Sequence, residues 1–445
     1  MAYTFKGGIW PDDHKYTVNS KIEPIPEPEY VSVSLTQHVG VMCRPTVHVG
    51  DSVLVGQLIG EIPGGLGCPV HASVSGTVRK IEEVTTPSGG TSYNIVINND
   101  GTHRVSPAVV PFGKKLSEAS ADELIAAIRD AGIAGMGGTA FPTHAKLSAA
   151  RGKVERIIVN CCENEPFLCA THRQIVEHAE DIINGVKIMM VAAGVREAWI
   201  AVEAAKKDEI RRLESLIGES RLMSIKRVSS KYPQGSEKQL VYALCGREVR
   251  GGRTPIDTGN VVFNAETCAA VFSALSTGMP LIKRVVTVDG DCISHPKNLL
   301  VPIGTPVSHL IECCGPLCRP PKKVISGGPM MGTSLWDPES PVTKTTSGVL
   351  VLSDFFDRES SLPAVCIRCG RCVKACPVRL LPLKIAALSA KGEFDRCDSL
   401  GAADCMECGS CSYVCPGGVP VVQLIGRAKS EILMKRRNAR SGGDR

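Results

Sequence analysis

The run C-x2-C-x2-C-x3-C-P occurs twice near the C-terminal end of the 445-residue chain: Cys366, Cys369, Cys372, Cys376 and Pro377, then Cys405, Cys408, Cys411, Cys415 and Pro416. Only 28 residues lie between Cys376 and Cys405. Thiolates spaced by two residues on a turning backbone converge on three corners of a cubane. The fourth, set back by three residues before a chain-turning proline, faces away from them. Such runs are the signature of 4Fe-4S clusters, and in paired runs the fourth cysteine ligates the other cluster. The expected ligand sets are therefore crossed: Cys366, Cys369 and Cys372 with Cys415, and Cys405, Cys408 and Cys411 with Cys376. Zinc is the main rival, but its sites take C-x2-C pairs separated by a longer loop. Disulfides are the other rival, since the total of 20 cysteines is even, but they need an oxidising compartment. Residues 1–20 are polar, without the apolar run of a signal peptide, so the expectation is a reducing compartment, the cytoplasm.

A chain of this length is expected to divide into several domains. Its net charge of +6 is mild and only 4% of its residues are aromatic, which argues against a nucleic-acid surface. The longest apolar stretches, near Ile188–Val195 and Val261–Leu275, are too short or too interrupted to cross a bilayer, so any membrane association is expected to be peripheral. Residues 421–440 mix apolar side chains with Arg427, Lys429, Lys435, Arg436, Arg437 and Arg440. They read either as a basic amphipathic helix for a membrane surface or, the favoured reading, as a solvated helix ending in a frayed tail.

Residues 31–105 read as short β-branched strands broken by glycine turns, a small all-β module. "VHVGDSVLVGQLIG…ASVSGTV" resembles the barrel-sandwich fold of biotinyl and lipoyl carrier domains. A carrier needs a lysine at a hairpin tip, and none occurs from Asp51 to Val78, so only the fold is expected. From Lys115 to about Thr277 helical and strand patterns alternate: a helix after Ser120, a strand at 156–160, a helix at 173–193 and a strand at 198–202. That alternation predicts an α/β domain with a largely parallel sheet. Residues 284–330 read as strands around a short helix at 306–313. The Pro-, Ser- and Thr-containing stretch from Asp337 to Leu362 reads as a link.

Within the α/β region, "GIAGMGGTAFPTHAKL" places Gly135, Gly137 and Gly138 where backbone N–H groups can approach a phosphate, with Lys146 as counter-charge. It matches neither the dinucleotide fingerprint nor the P-loop. The following strand ends in "VNCCENEPFL", putting Asn160, Glu163 and Glu165 beyond a strand's carboxyl end, where ligands bind in open α/β sheets. "KYPQGSEKQLVYAL", with Tyr232, Gly235 and Glu237, and "VVFNAETCAAV", with Asn264 and Thr267, complete the pattern.

Taken with the opening "TFKGGIWPDDHK", "LTQHVG" and "SGGPMMG", these segments occur in the order in which they stand in the RnfC proteins of Rnf electron-transport complexes. The chain resembles that RnfC/RsxC family along nearly its whole length. More distantly it is similar to the flavin-carrying, NADH-binding subunit of respiratory complex I. The resemblance implies a multidomain α/β architecture: an extension over 1–29, a barrel-sandwich hybrid over 30–110, a Rossmann-like FMN/NADH domain over 111–278, and a β-grasp (SLBB) module over 279–340. A linker over 341–361, a ferredoxin-like dicluster domain over 362–425 and a basic tail over 426–445 follow. It implies non-covalent FMN and NAD(H) beside the two clusters. Gly135, Gly137, Gly138 and Lys146 would hold the FMN phosphate, and Asn160, Glu163, Asn264 and Thr267 would line the flavin. Phe141 would face the dinucleotide, with Glu165 and Glu237 near it, and Tyr232 and Gly235 belong to the same cofactor site. The sequence departs from the family at Thr139–Ala140, within the glycine loop, and at Cys161-Cys162-Glu163-Asn164-Glu165, and a methyl group at Ala140 would crowd the cofactor.

NADH gives up a hydride whereas a cluster takes one electron, so a flavin is expected between them. The protein would contribute position and potential, and no catalytic histidine or nucleophile is named. The resemblance implies a peripheral subunit on the cytoplasmic face of a membrane-bound, ion-translocating NAD:ferredoxin complex, with the other Rnf subunits as partners, ferredoxin as an indirect one and no nucleic acid. Two other readings compete: a soluble NADH-linked reductase feeding a partner enzyme, and a non-catalytic cluster relay or scaffold. The twelve cysteines outside the runs, Cys313, Cys314 and Cys318 among them, read as small core residues. His144, His172 and His178 read as ordinary surface or core residues.

Overall fold

The computed structural model describes residues 2–85, 90–354 and 364–441. The β-branched repeats of the first hundred residues fold into two small sheets. In one, Tyr30–Ser34, Thr91–Asn99, Gly76–Thr85 and Ser52–Val53 lie side by side; the other joins Arg44–Pro45, Leu58–Glu61 and Val70–His71. Their inward faces share one core of Val31, Val33, Ile59, Val78, Ile95 and Ile97. This is the alternation expected of a sheet with one buried face.

The α/β domain is built on four parallel strands in the order Met223–Val228, Glu197–Glu203, Arg156–Asn160, Asn260–Asn264. Helices Ala170–Ala193 and Ala265–Thr277 cover one face, and Glu237–Cys245 covers the other. The first two approach closely because residue 185 is glycine: a Cβ there would lie 1.8 Å from the Cys268 carbonyl oxygen. Ser120 caps the helix Ala121–Asp130 in a capping box with Glu123.

The third sheet has six strands: Ile22–Pro24, Lys297–Pro302, Lys283–Asp289, Gly348–Leu352, Lys323–Ser326 and Thr333–Leu335. It corrects two expectations. The N-terminal extension over 1–29 is not separate from the domains that follow, since Ile22–Pro24 forms an edge strand of this sheet. The stretch assigned to a linker over 341–361 contains a central strand, Gly348–Leu352, buried at every residue. Its continuous apolar run suits a strand covered on both faces. The rest of that linker, residues 355–361, lies outside the described residues, as do 362 and 363 at the start of the expected dicluster domain.

The dicluster domain is a set of short helices, Arg371–Ala375, Pro382–Ala390, Phe394–Ser399 and Ser410–Tyr413, closed by Val421–Ser441. That last helix is neither solvated all round nor a free basic face. Val421, Ile425, Ala428 and Ile432 are buried against Ile385, Ala386 and Leu388. Lys429, Lys435 and Arg436 pair with Glu407, Asp395 and Asp398.

Leu350, fully buried, packs with Phe167, Leu168 and Ile325. Leu350→Ala is expected to cost about 2–5 kcal/mol and to lower the thermal unfolding midpoint, read by circular dichroism; an unchanged midpoint would mean that this strand does not contribute to the core.

Candidate functional site

Two strands of the parallel sheet end side by side in asparagine, because Asn160 and Asn264 share one register. Asn160 Nδ2 donates to Asn264 Oδ1 at 3.0 Å and to the Gly235 carbonyl at 2.8 Å. Over this pair lies the glycine loop. Its base is closed by the Gly135 N–H on the Phe141 carbonyl at 2.9 Å, and Gly137, Gly138 and Thr139 form an exposed lip. Residue 137 must be glycine, since a Cβ would sit 1.8 Å from Asn264 Nδ2. Gly138 has φ +105°, with open space where a Cβ would be. Ala140 sits at φ 49° and is buried, its carbonyl accepting from the Val39 N–H at 3.0 Å. It is held to the barrel-sandwich module, while residues 137–139 form the lip.

The other predicted residues divide. Thr267 Oγ1 accepts from the Met136 N–H at 3.1 Å and so fixes the loop from below. Lys146 meets Glu237 at 2.5 Å and lies 5.3 Å from the centroid of the Phe263 ring. Phe141 is half-buried at the loop's base. The Glu163 carboxylate accepts from the N–H groups of Thr171 and His172 at 2.9 and 3.1 Å, capping the helix Ala170–Ala193. Tyr232 reaches the neighbouring domain. Its hydroxyl donates to the Cys408 carbonyl at 2.7 Å, inside the dicluster domain.

Glu165 is half-buried between domains, with Oε2 accepting from the Met330 N–H at 2.9 Å. Burial lifts its carboxyl to about 7. Glu165 Oε1, Asn164 Nδ2 and both polar atoms of Gln234 are buried without a hydrogen-bond partner. Buried polar atoms are rarely left so unless something else meets them. Three such side chains stand on the two segments, 161–165 and 231–235, that flank the asparagine pair. A polar ring edge or hydroxylated chain would satisfy them, so the residues fit a flavin. Asn164 and Gln234 were not singled out from sequence, although both sit inside the segments that were. Lys15, the last residue of the opening segment TFKGGIWPDDHK, was given no role from sequence: its ammonium donates to the carbonyls of Glu163 (2.9 Å), Glu165 (2.8 Å) and Leu168. Nothing in the local sequence connects it to a loop some 150 residues away.

The cysteine runs fold as two copies of one turn. Arg368 and Glu407, each two residues after its first cysteine, have φ 56° and 55°, and Gly370 and Gly409 follow at 71° and 74°. The N–H of each of the first pair lies 3.4 Å from that cysteine's sulphur. Cys405, Cys408, Cys411 and Cys376 line one enclosed cavity. The Cys411 thiol is pushed up to about 12, by burial first and then by Cys408, Cys405 and Cys376. Four thiols around one cavity, three of them raised by neighbouring thiols, would ionise together only with a bound cation, so they fit a cluster. Cys372 is raised chiefly by burial, with Cys415 adding to it, while Cys366 and Cys369 are exposed. Among the described residues, those of the two runs included, no group of three or more His, Cys, Asp or Glu side chains closes on a single metal ion.

An α/β domain with a glycine loop over paired strand ends, joined to a two-cluster domain, defines an iron-sulphur flavoprotein architecture. Family models match as the Nuo51 FMN-binding domain over 128–273, the RnfC barrel sandwich hybrid domain over 3–102, the SLBB domain over 285–334 and a 4Fe-4S dicluster domain over 365–419. The chain is 42% identical over 439 residues, 98% of both chains, to the C component of the Na+-translocating ferredoxin:NAD+ oxidoreductase complex of Acetobacterium woodii. It is 40% identical over 88% of its length, and 85% of the relative's, to the corresponding component of the proton-translocating complex of Clostridium ljungdahlii. With the C component of the ion-translocating oxidoreductase complex of Rhodobacter capsulatus it is 39% identical over 97% of this chain and 84% of the relative. The chain belongs to the RnfC family. A solved NAD+-reducing [NiFe]-hydrogenase shares the fold at TM-score 0.50 and 22% identity, covering 69% of this chain and 62% of that one.

Because Glu165 keeps its proton to about 7 when folded but to about 4.5 when unfolded, only the folded state holds that proton between those values. Its contribution to stability therefore falls as pH rises through that window. Glu165→Gln should flatten the pH dependence of the unfolding midpoint from about pH 5 to 7, measured by thermal melts across that range; an unaltered slope would show that this carboxyl is not responsible.

Proposed function

We propose that the chain is the peripheral, electron-exchanging subunit of an ion-translocating ferredoxin:NAD+ oxidoreductase complex, linking NAD(H), non-covalently bound FMN and two 4Fe-4S clusters. One observation carries this reading. The turn at residues 232–235 serves both sites at once: Gly235 accepts from Asn160 in the flavin pocket, and three residues earlier Tyr232 donates to Cys408. A flavin in the pocket and a cluster at Cys408 would thus be held by one rigid segment. Bound flavin exchanges a hydride with a nicotinamide and single electrons with the clusters, a conversion no side chain performs.

The chain's own residues bind and orient. The exposed backbone of Gly137, Gly138 and Thr139 suits a phosphate, with Lys146 beside it. Lys146 is shared with Glu237, which keeps its charge in place in the absence of phosphate. Asn160, Asn264, Asn164 and Gln234 offer amide donors and acceptors for a ring edge. Glu165 can hold a proton on Oε1 at neutral pH, so it can donate as well as accept there. Phe141, at the loop's base, offers a ring to a dinucleotide. Crossed ligation, Cys376 with Cys405, Cys408 and Cys411, and Cys415 with Cys366, Cys369 and Cys372, is supported by the cavity that Cys376 shares with the second run and by the effect of Cys415 on the Cys372 thiol. It would make the buried cluster the one next to the flavin and the Cys366 cluster the outer one. Among the described residues no helix is long and apolar enough to cross a membrane. Attachment to the cytoplasmic face through the other subunits belongs to the same proposal.

The test is an anaerobic optical and EPR titration with NADH of the iron-reconstituted, FMN-loaded protein and of its Cys415→Ser variant. The wild type should bleach its flavin bands and then show two interacting reduced-cluster signals. The variant should keep flavin reduction and the Cys408 cluster and lose the other. No flavin uptake and no response to NADH would overturn the function, and loss of the Cys408 cluster instead would overturn the crossed ligation.

A further inference from the structure

The two halves of the dicluster domain carry opposite charge. From Cys366 to Gly392 the chain has Arg368, Arg371, Lys374, Arg379, Lys384 and Lys391 and no acidic residue. From Glu393 to Gly418 it has Glu393, Asp395, Asp398, Asp404 and Glu407 against Arg396 alone.

The acidic half is answered from within the chain. Lys435 meets Asp395 at 2.6 Å, Arg436 meets Asp398 at 2.8 Å and Lys429 meets Glu407 at 2.7 Å, while Asp404 accepts from the Gly251 N–H at 3.0 Å. The basic half is not answered. Arg368, Arg371 and Lys374 are all exposed, and none has a carboxylate within ion-pair distance among the described residues. Unpaired cations gathered on one face create a field that internal pairs do not.

These cations alternate in sequence with the more open cysteines. Cys366 and Cys369 are exposed, whereas Cys376, Cys408 and Cys411 are buried. Arg371 and Lys374 line an open groove whose other walls are Gly7–Trp10 of the N-terminal extension and Tyr413 with Val414. Trp10, at its edge, is 71% exposed. Exposed tryptophan, tyrosine and arginine are the residues enriched at interface hot spots, and Lys374 adds charge at the rim.

We infer that this groove is the docking surface for an acidic protein carrying a one-electron centre, and that the Cys366 half of the domain is the port through which electrons cross to it. The inference rests on the cluster assignment proposed above but not on the NADH and flavin part of it. The charge of the groove selects a partner with clustered carboxylates. Its concave shape suits a protein loop better than a flat lipid surface, and only a partner with a redox centre makes use of a cluster at the groove's side. Each transfer moves one electron: the partner's centre is oxidised as the Cys366 cluster is reduced, or the reverse, with no proton moved.

The test mixes oxidised, iron-loaded full-length protein with a reduced, small, acidic 2Fe-2S ferredoxin in a stopped-flow instrument and follows cluster bleaching, with no NADH present. Wild-type protein should react with a rate constant that falls steeply with salt. Lys374→Glu and Arg371→Glu should each slow the reaction about tenfold or more at low ionic strength, and Trp10→Ala should slow it less. Iron content and the rate with methyl viologen radical cation should hold in Lys374→Glu, which decides the matter if Arg371→Glu, next to Cys372, loses iron. Wild-type rates with ferredoxin in Lys374→Glu would overturn the inference. So would loss of binding to anionic liposomes with the ferredoxin rate intact, which would make the groove a lipid surface. A ferredoxin reaction of the expected salt dependence in protein that ignores NADH would leave the port standing and remove only the flavin part of the function.

Discussion

The ammonium of Lys15 is the contact on which the arrangement of the site depends. It holds three carbonyls of the loop from Glu163 to Leu168, so a loop that carries two acidic side chains is fixed by charge-assisted bonds to its backbone. With the loop fixed, Glu163 can cap a helix and Glu165 can reach the Met330 N–H. The extension that supplies Lys15 goes on to bind everything else. The Phe167 N–H donates to the Asp13 carbonyl, Ile9 pairs with Tyr232 in both directions, and the Gly8 N–H donates to the Ala375 carbonyl. One strap thus touches the acidic loop, the turn that ends the flavin pocket and the helix Arg371–Ala375 that carries Cys372.

Behind the pocket the domains are joined by buried charge. Glu266, adjacent to Thr267, accepts from Thr171 Oγ1 at 3.0 Å and pairs with Arg284 at 3.0 Å; Arg284 donates in turn to the Lys344 carbonyl at 2.6 Å. Lys344 itself is buried, with Nζ on the carbonyls of Pro69 and Gly132 at 2.9 and 2.6 Å. Such pairs cost desolvation and their removal leaves an uncompensated charge, so they specify relative position more than they add stability. The barrel-sandwich module, which has no lysine between Asp51 and Val78 to act as a carrier arm, is tied through Lys344 to the start of the glycine loop.

What the sequence disclosed was local. The cysteine runs carry their chemistry in their spacing, and the turns around them repeat almost to the degree. The glycine loop and the two asparagines were legible because strand ends and glycine turns follow from pattern within a few residues. Contacts between distant segments were not legible. Tyr232 sits in the expected motif but points to Cys408, a destination set by the docking of another domain. Glu163 looked like a ligand for the flavin, although an acid shortly before a helix is also a cap signal. The strand Gly348–Leu352 was misread as linker because serine, threonine and proline flank it, yet its unbroken apolar run was the mark of a buried strand. The basic residues of the last helix could be counted from sequence, but their acidic partners could be matched to them only in three dimensions.

The central claim is that the N-terminal strap sets the path from flavin to clusters. Gly7 tests it, since it sits at φ +80° and a Cβ there would lie 2.6 Å from the Cys376 carbonyl oxygen. The decisive measurement is rapid-freeze EPR of cluster reduction after mixing Gly7→Val protein, loaded with iron and FMN, with NADH. Flavin bleaching at the wild-type rate with cluster reduction slowed about tenfold or more is the predicted result. Cluster reduction as fast as in the wild type, with the strap displaced, would contradict the account.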